Sequence, residues 1–423
     1  MPHVSSTDDH AAIQKRIVLV LAAAQIFGGV GVASGAAVGA LLAADLASES
    51  LSGVASAASV VGAALIAIPV SRVMDAHGRR PGLLLAYAIG IIGALTIVIG
   101  ADLGWFPLAL LGLVATGGGT TATLQSRYAA TDLASPERRG RSLSTVVWAT
   151  TLGSVLGPNL ASPMGRFGES IGIPSLAGPY LLTVLVFIVS AAIVGILLRP
   201  DPLHVARGDH HARETPKRRV VVDRSIRTAL ATIATAPSAR VGLAGIVLGH
   251  AVMVAVMSMT PVHLRHGDAG LKVIGLVISL HIAGMYGASP LVGTAVDRIG
   301  RKPVIALGSM ILLSAFVVAG TASGHEAPQL SIGLALLGLG WSCTMIAGST
   351  LLTDSVPIGQ LPNVQGTADV LMGFGGATAG LLAGVVVSLG SYGILTLVSA
   401  CLILPLLFAT LVPARLSTAE SAA

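Results

Sequence analysis

Charge is what this sequence lacks most. Only 10% of its 423 residues are Asp, Glu, Lys or Arg, against roughly a quarter in a soluble domain, so it cannot cover its surface with water-facing groups. The solvent for most of the chain is lipid. Cysteine is nearly absent: Cys343 and Cys401 both lie in apolar runs, which argues against a disulfide framework or a thiolate zinc cluster. No glycine-rich phosphate loop is present, which disfavours ATP-driven pumping. No nucleophile–base constellation marks an enzyme, and no cofactor is implied. The formal net charge of +6 would raise nucleic acid as a partner for a soluble chain; here it reads as membrane topology. The N-terminal stretch Met1–Gln14 has no basic segment ahead of a short apolar core. The apolar run after it is too long for a signal peptide and reads as a first membrane span.

What is there instead is apolar length. Hydrophobic residues make up 53% of the chain, with 52 glycines that let membrane helices approach closely. A spanning helix needs about 20 mostly apolar residues. That ruler places spans near 17–43, 51–74, 82–101, 105–128, 142–165 and 177–198, then near 241–264, 271–295, 304–321, 328–352, 364–387 and 390–413. The expected architecture is all-α and integral to the membrane, with twelve spans in two pseudo-symmetric six-helix bundles. Residues 1–199 form the first bundle, 200–240 a linker, and 241–423 the second. The linker carries Arg207, Arg213, Lys217, Arg218, Arg219, Arg224 and Arg227. With both termini in the cytoplasm, 22 of the 25 Lys and Arg fall on the cytoplasmic side, and only Arg166, Arg265 and Lys272 fall outside. The positive-inside rule is strongly obeyed, as expected for a multi-pass protein of the cytoplasmic membrane.

The two halves repeat. Ser71-Arg-Val-Met-Asp75-Ala-His-Gly78-Arg79-Arg80-Pro81 joins the second and third spans, and Gly293-Thr-Ala-Val-Asp297-Arg298-Ile-Gly300-Arg301-Lys302-Pro303 joins the eighth and ninth. Asp75 and Asp297 are 222 residues apart. These loops resemble the G-x-x-x-D-R-x-G-R-R/K signature of the major facilitator superfamily. The second copy matches throughout; the first has Ser71 for the glycine and Ala76 for the arginine. The resemblance implies two rocking bundles with a midplane site. It also implies that Asp75 meets a neighbouring helix N-terminus, where the helix dipole favours an anion, and so latches the halves on the cytoplasmic side. A purely topological role for both loops is the alternative.

In the fifth span, Gly153-Ser-Val-Leu-Gly157-Pro158-Asn159 resembles part of the G-x-x-x-G-P motif of proton-coupled efflux members, although Ala161 and Ser162 replace the following glycine pair. Close packing and a proline bend explain it equally well. Charge within spans is scarce, and an intramembrane charge is costly and usually functional. Asp369 is the deepest carboxylate, and Arg127 lies near the end of the fourth span; the two could pair structurally or relay a proton. Gln25, Gln125, Tyr128 and Asn159 are candidates to line a polar cavity.

The seventh and eighth spans carry sulfur and imidazole. Met253/Met257 and His281/Met285 are each four residues apart, so each pair shares a helix face. At about 1.5 Å per residue, Met253 and His281 reach similar depths of roughly 15 Å. Three thioethers and an imidazole form a soft, uncharged ligand set that selects Cu(I). M-x-x-x-M followed by H-x-x-x-M resembles the paired motifs of CcoA-type bacterial copper importers, implying Met253, Met257, His281 and Met285 as metal ligands and copper as the transported substrate. Methionine packing is the competing explanation. His250, Met259, Cys343 and Met345 are further soft donors that packing explains as well. His77, His204, His210 and His211 read as solvated loop residues.

Three functional readings follow. The first is a monomeric secondary importer of copper. The second is a proton-coupled carrier or efflux pump of a small organic molecule. The third, a membrane receptor without transport, is opposed by the lack of a substantial soluble domain.

Overall fold

Long apolar runs in lipid must satisfy every backbone polar group within the segment, which makes them helices. The computed structural model describes residues 7–48, 51–208, 225–268 and 271–411. The expected positions Arg213, Lys217, Arg218, Arg219, Arg224, His210, His211 and Arg415 lie outside them. The first half contains α1 (Thr7–Leu46), α2 (Ser52–His77), α3 (Arg79–Asp102), α4 (Phe106–Ala129), α5 (Arg139–Ser170) and α6 (Gly178–Leu197). Two short helices follow, α7 (Pro202–Ala206) and α8 (Ile226–Thr235). The second half contains α9 (Pro237–His266), α10 (Leu271–Ile282), α11 (Ser289–Ile299), α12 (Arg301–Gly320), α13 (Ala327–Asp354), α14 (Leu361–Leu389) and α15 (Tyr392–Leu411). A π turn, Ala283–Gly287, joins α10 to α11, so these three segments form one span.

Among the described residues, eleven helices are long and apolar enough to cross a membrane. The twelfth expected span, α5, is long enough at 32 residues but too polar by that measure. Its small residues explain both its composition and its place: a side chain at Gly153 would strike the backbone of Gly29 and Val30, and one at Gly157 would strike Ala33 and Ser34. The fifth-span glycines therefore serve close contact with α1.

The 222-residue shift that relates the two signature loops also superposes the bounds of α1–α5 on those of α9–α14 to within several residues, α1's longer start apart. Within the first half, α1 packs on α5 and α6, and α3 on α4 and α6; within the second, α9 packs on α13 and α14, and α12 on α13 and α15. The halves meet through α2 against α14 and α5 against α11. Basic residues gather at the helix ends on one side, here termed the basic face, which carries both signature loops.

Candidate transport site

Each signature loop turns on a glycine. Gly78 and Gly300 have φ of 94° and 96°, a conformation that glycine adopts without penalty, and it reverses the chain between α2 and α3 or between α11 and α12. Beyond that, the copies diverge. Asp297 accepts hydrogen bonds from the backbone N–H of Gly140 (2.8 Å) and Arg141 (2.9 Å), at the N-terminus of α5 in the other half. Asp75 is held by Arg207, whose Nη2 donates to its Oδ1 at 2.6 Å and whose Nη1 donates to its backbone carbonyl at 2.8 Å. Arg207 Nη2 also reaches the Gly359 carbonyl at 3.3 Å, so this residue ties Asp75 to the second half. The residue 222 positions beyond Gly140 is Pro362, at the start of α14, and it has no N–H to offer.

The arginines differ as well. Arg79 is fully buried and donates through Nε and Nη2 to both oxygens of Asp132, at 2.8 and 2.9 Å, and through Nη2 to Gln365 of α14 at 2.6 Å. Burial pushes the Asp132 carboxyl above its ordinary range, with Arg79 pulling the other way. The equivalent Arg301 binds Asp354 (2.8 Å) and the Pro136 carbonyl at a more exposed site, where Arg139 also reaches Asp354. Arg80 donates to the Gly195 carbonyl at 2.8 Å. Arg298 is exposed and Lys302 half-buried.

Between the halves lies a cavity of about 270 Å³. Its charged end is an ion pair bridging α4 and α14. Arg127 Nη2 donates to Asp369 Oδ1 at 2.6 Å and to the Tyr128 hydroxyl at 3.1 Å, while Gln125 Nε2 donates to Asp369 Oδ2 at 2.8 Å. The Arg127 and Asp369 side chains are only 3% and 1% exposed. Such a pair is fixed by geometry, because losing either partner strands a buried charge at a cost of about 3–5 kcal/mol.

The wall supplied by the second half is aromatic. Trp341 Nε1 donates to His250 Nδ1 at 3.2 Å, which leaves the His250 proton on Nε2. Tyr286 meets Trp341 edge-on, with centroids 5.7 Å apart. Met285, Met345 and Met372 line the same space. The first half contributes Gln25, which donates to Thr150 at 3.0 Å, together with Thr120, Thr123 and Ser154. Hydrogen bonds between the two halves include the ion-pair group, the signature-loop contacts, Arg139 to Asp354 and Ser289 to Ser144, and the linker residue Arg207 adds one to Gly359. These lie at Asp369 or toward the basic face from it, so the halves are closed on that side.

Of the four expected metal ligands, Met285 alone lines this cavity. Met253 is buried in the apolar core of the second half, and Met257 is half-buried against that core. His281 is buried, with Nδ1 at 2.9 Å from the Leu334 carbonyl and Nε2 without a partner. α9 and α10 each pack on α13 and barely touch one another among the described residues, so the structure does not bring the two motifs together as adjacent helices. Asn159 is exposed and bonds back to the Val155 carbonyl, away from the cavity where it was expected. Cys343 packs beneath Gly308, and Met259 lies half-buried against the core. Sequence reasoning passed over Trp341 and Tyr286. The repeat held the signal, because the positions 222 residues earlier are Gly119 and Ala64.

A family model described as Major Facilitator Superfamily matches residues 19–275 and 268–422. The chain is 39% identical over 406 residues to YdeG, an uncharacterized MFS-type transporter of Bacillus subtilis, covering 96% of this chain and 93% of the relative. A second uncharacterized B. subtilis transporter, YddS, is 38% identical over 406 residues, with 96% and 92% covered. The riboflavin transporter RfnT of Brucella anthropi is 24% identical over 312 residues, 74% of each chain. Among solved structures, FucP in its outward conformation superposes with a TM-score of 0.73 at 14% identity, covering 93% of this chain and 97% of FucP. The human organic anion transporter MFSD10 gives 0.72 at 18% identity, with 94% and 99% covered. With the duplicated signature loops, the two helical bundles and these matches together, the chain belongs to the major facilitator superfamily, as a multi-pass membrane transporter and not an enzyme.

Proposed function

We propose that the protein is a proton-coupled secondary carrier of a small organic solute, acting as a monomer in the cytoplasmic membrane with its basic face inside. The Arg127–Asp369 pair carries this reading: it is a buried, titratable bridge between the halves at the end of the central cavity, and buried titratable groups in a cleft are functional candidates. Residues 1–199 and 241–423 rock about the cavity, joined by 200–240. Asp297 on the α5 N-terminus, with Arg301, latches the basic face while solute is admitted from outside. Protonation of Asp369 releases Arg127 and weakens the α4–α14 bridge, which couples proton and solute. The riboflavin transport of the RfnT relative supports an organic solute.

The test uses purified protein in liposomes that contain a pH-sensitive dye, with riboflavin as the first probe of a solute panel. We expect solute-dependent proton movement in the intact protein. Asp369→Asn should abolish it while solute counterflow persists. Proton movement that survives Asp369→Asn removes the pair from the coupling step.

Copper import remains a second reading, favoured by one observation. His281 gives its Nδ1 proton to a backbone carbonyl and keeps a buried, unpartnered Nε2, the arrangement that orients histidines ligating metals. Met253, Met257 and Met285 would complete the set once α9 and α10 approach. Copper accumulation in cells should then be lost in His281→Ala and Met257→Ala at unchanged membrane abundance. Normal accumulation in both variants discards this reading.

A further inference from the structure

Resting on the carrier reading above, we propose that the cavity accepts a planar aromatic carboxylate, which enters with one proton as an electroneutral pair. The first observation is the one-sided wall. Positions 250, 286 and 341 hold His, Tyr and Trp, whereas the positions 222 residues earlier hold Gly28, Ala64 and Gly119. Of these three only Ala64 lines the cavity, beside Gly29, Ala33 and Ala63, because a side chain at Gly28 or Gly119 would meet Tyr87 or Phe187 instead. The cavity is thus aromatic on the second-half side and aliphatic with several small residues on the other, which leaves room for a ring. A ring entering it packs on Trp341 and Tyr286 in the offset or edge-on geometries that aromatic pairs prefer.

The second observation is the incomplete use of Arg127. A guanidinium offers a fork of donors matched to a carboxylate, yet Asp369 takes a single bond, from Nη2. Arg127 Nε is buried without a partner. The site thus holds a cation whose fork is half filled, on the lining of the cavity. The third observation is a buried acceptor without a donor, Gln25 Oε1, on the same lining. It asks for an N–H or O–H on the ring. A volume of about 270 Å³ suits one or two fused rings with a short acid arm.

Charge fixes the stoichiometry. With the cavity empty, Arg127 and Asp369 together are neutral. A bound carboxylate leaves one negative charge in a low-dielectric site, which is costly. One proton on Asp369 Oδ1, the oxygen Arg127 gives up, restores neutrality; an O–H bond forms and the guanidinium changes carboxylates. The other ionisable groups near this exchange are Tyr128 on α4, His250 on α9, Tyr286 on the π turn and, nearer the basic face, Arg79. Both the empty and the loaded carrier then cross without net charge.

The experiment compares three probes on the full-length protein: indole-3-acetate, indole-3-acetamide and cyclohexylacetate. Indole-3-acetate should bind at least tenfold more tightly than the other two by calorimetry. The double variant Arg127→Gln/Asp369→Asn, which strands no charge, should bind acid and amide alike. Trp341→Phe should narrow the gap between the indole and cyclohexyl acids and keep the acid-over-amide preference. Uptake of indole-3-acetate into liposomes should follow an inside-alkaline pH gradient and ignore a potassium diffusion potential. Equal binding of acid and amide, binding of none of the three, or uptake that follows the potential overturns the proposal. Proton-driven uptake of the amide would defeat the substrate class and leave the carrier reading intact. Tight acid binding without gradient-driven uptake would defeat the coupling instead.

Discussion

The two signature loops share a sequence pattern and a glycine turn, yet they do different work. In the first copy the arginine is sunk inside the protein, with both Asp132 oxygens and Gln365 around it. In the second, Arg301 and Asp354 are 17% and 22% exposed, and Asp297 reaches over the interface to the α5 N-terminus. One loop is built as a buried corner, whose arginine also reaches across to Gln365 of α14. The other is a contact that solvent can enter and that a rocking motion can break. Duplicated sequence therefore supplied a common turn, and its surroundings decided whether that turn became framework or fastening.

The sharpest way to break the comparison is to truncate the two arginines. Arg79→Ala strands Asp132 in the interior and should cost about 3–5 kcal/mol, read as a large loss of thermal stability and membrane abundance. Arg301→Ala, at a partly solvated pair, should cost at most about 1 kcal/mol. Equal losses would show that burial is not what separates the loops. Next comes Gly293→Val, whose side chain would enter the space of Ser144 and the Gly140 carbonyl. The basic face should then fail to close, and transport should drop by an order of magnitude or more at near-normal abundance; unchanged transport would deny that closure is needed.

A smaller effect is expected for Asp297→Asn, which gives up a charge–dipole interaction of roughly 0.3–2 kcal/mol. Spin labels at the basic-face ends of the halves should report a larger open population than in Asp75→Asn. The reverse order would move the latch to the first loop. The least effect belongs to Ala76→Arg, which restores the family residue at a half-buried position and should stay within about 0.5 kcal/mol by thermal unfolding.

Much of this was legible in the residues. Apolar length and basic-residue placement marked the spans, because lipid enforces helices and lipid surfaces sort charge. The polar α5 fitted that ruler least, since the membrane tolerates such composition only where a neighbouring helix covers it, as α1 does at Gly153 and Gly157. Arg127 and Asp369 stood out as rare intramembrane charges, and they do pair. The Met and His pairs stand apart in the structure for a different reason: spacing places residues on one helix face but does not say which neighbour that face meets. Met253 turned to its own core and His281 to α13. Trp341 and Tyr286 escaped because a lone aromatic in an apolar run has no period to betray it.

The departure at Ser71 has a wider meaning. Ser71 lies against Gly366, and Gly293 lies against Ser144, and both pairs obey the 222-residue shift with serine and glycine exchanged. What the duplication preserved is a sum of two side chains across a seam, not the identity of either one. Grafting the textually perfect loop into the first half would leave two glycines facing each other and a void, and the reciprocal graft would drive two serines into one space. The unit of inheritance at this seam is the couple, so a mismatch with the family consensus can mark a repair completed elsewhere in the chain.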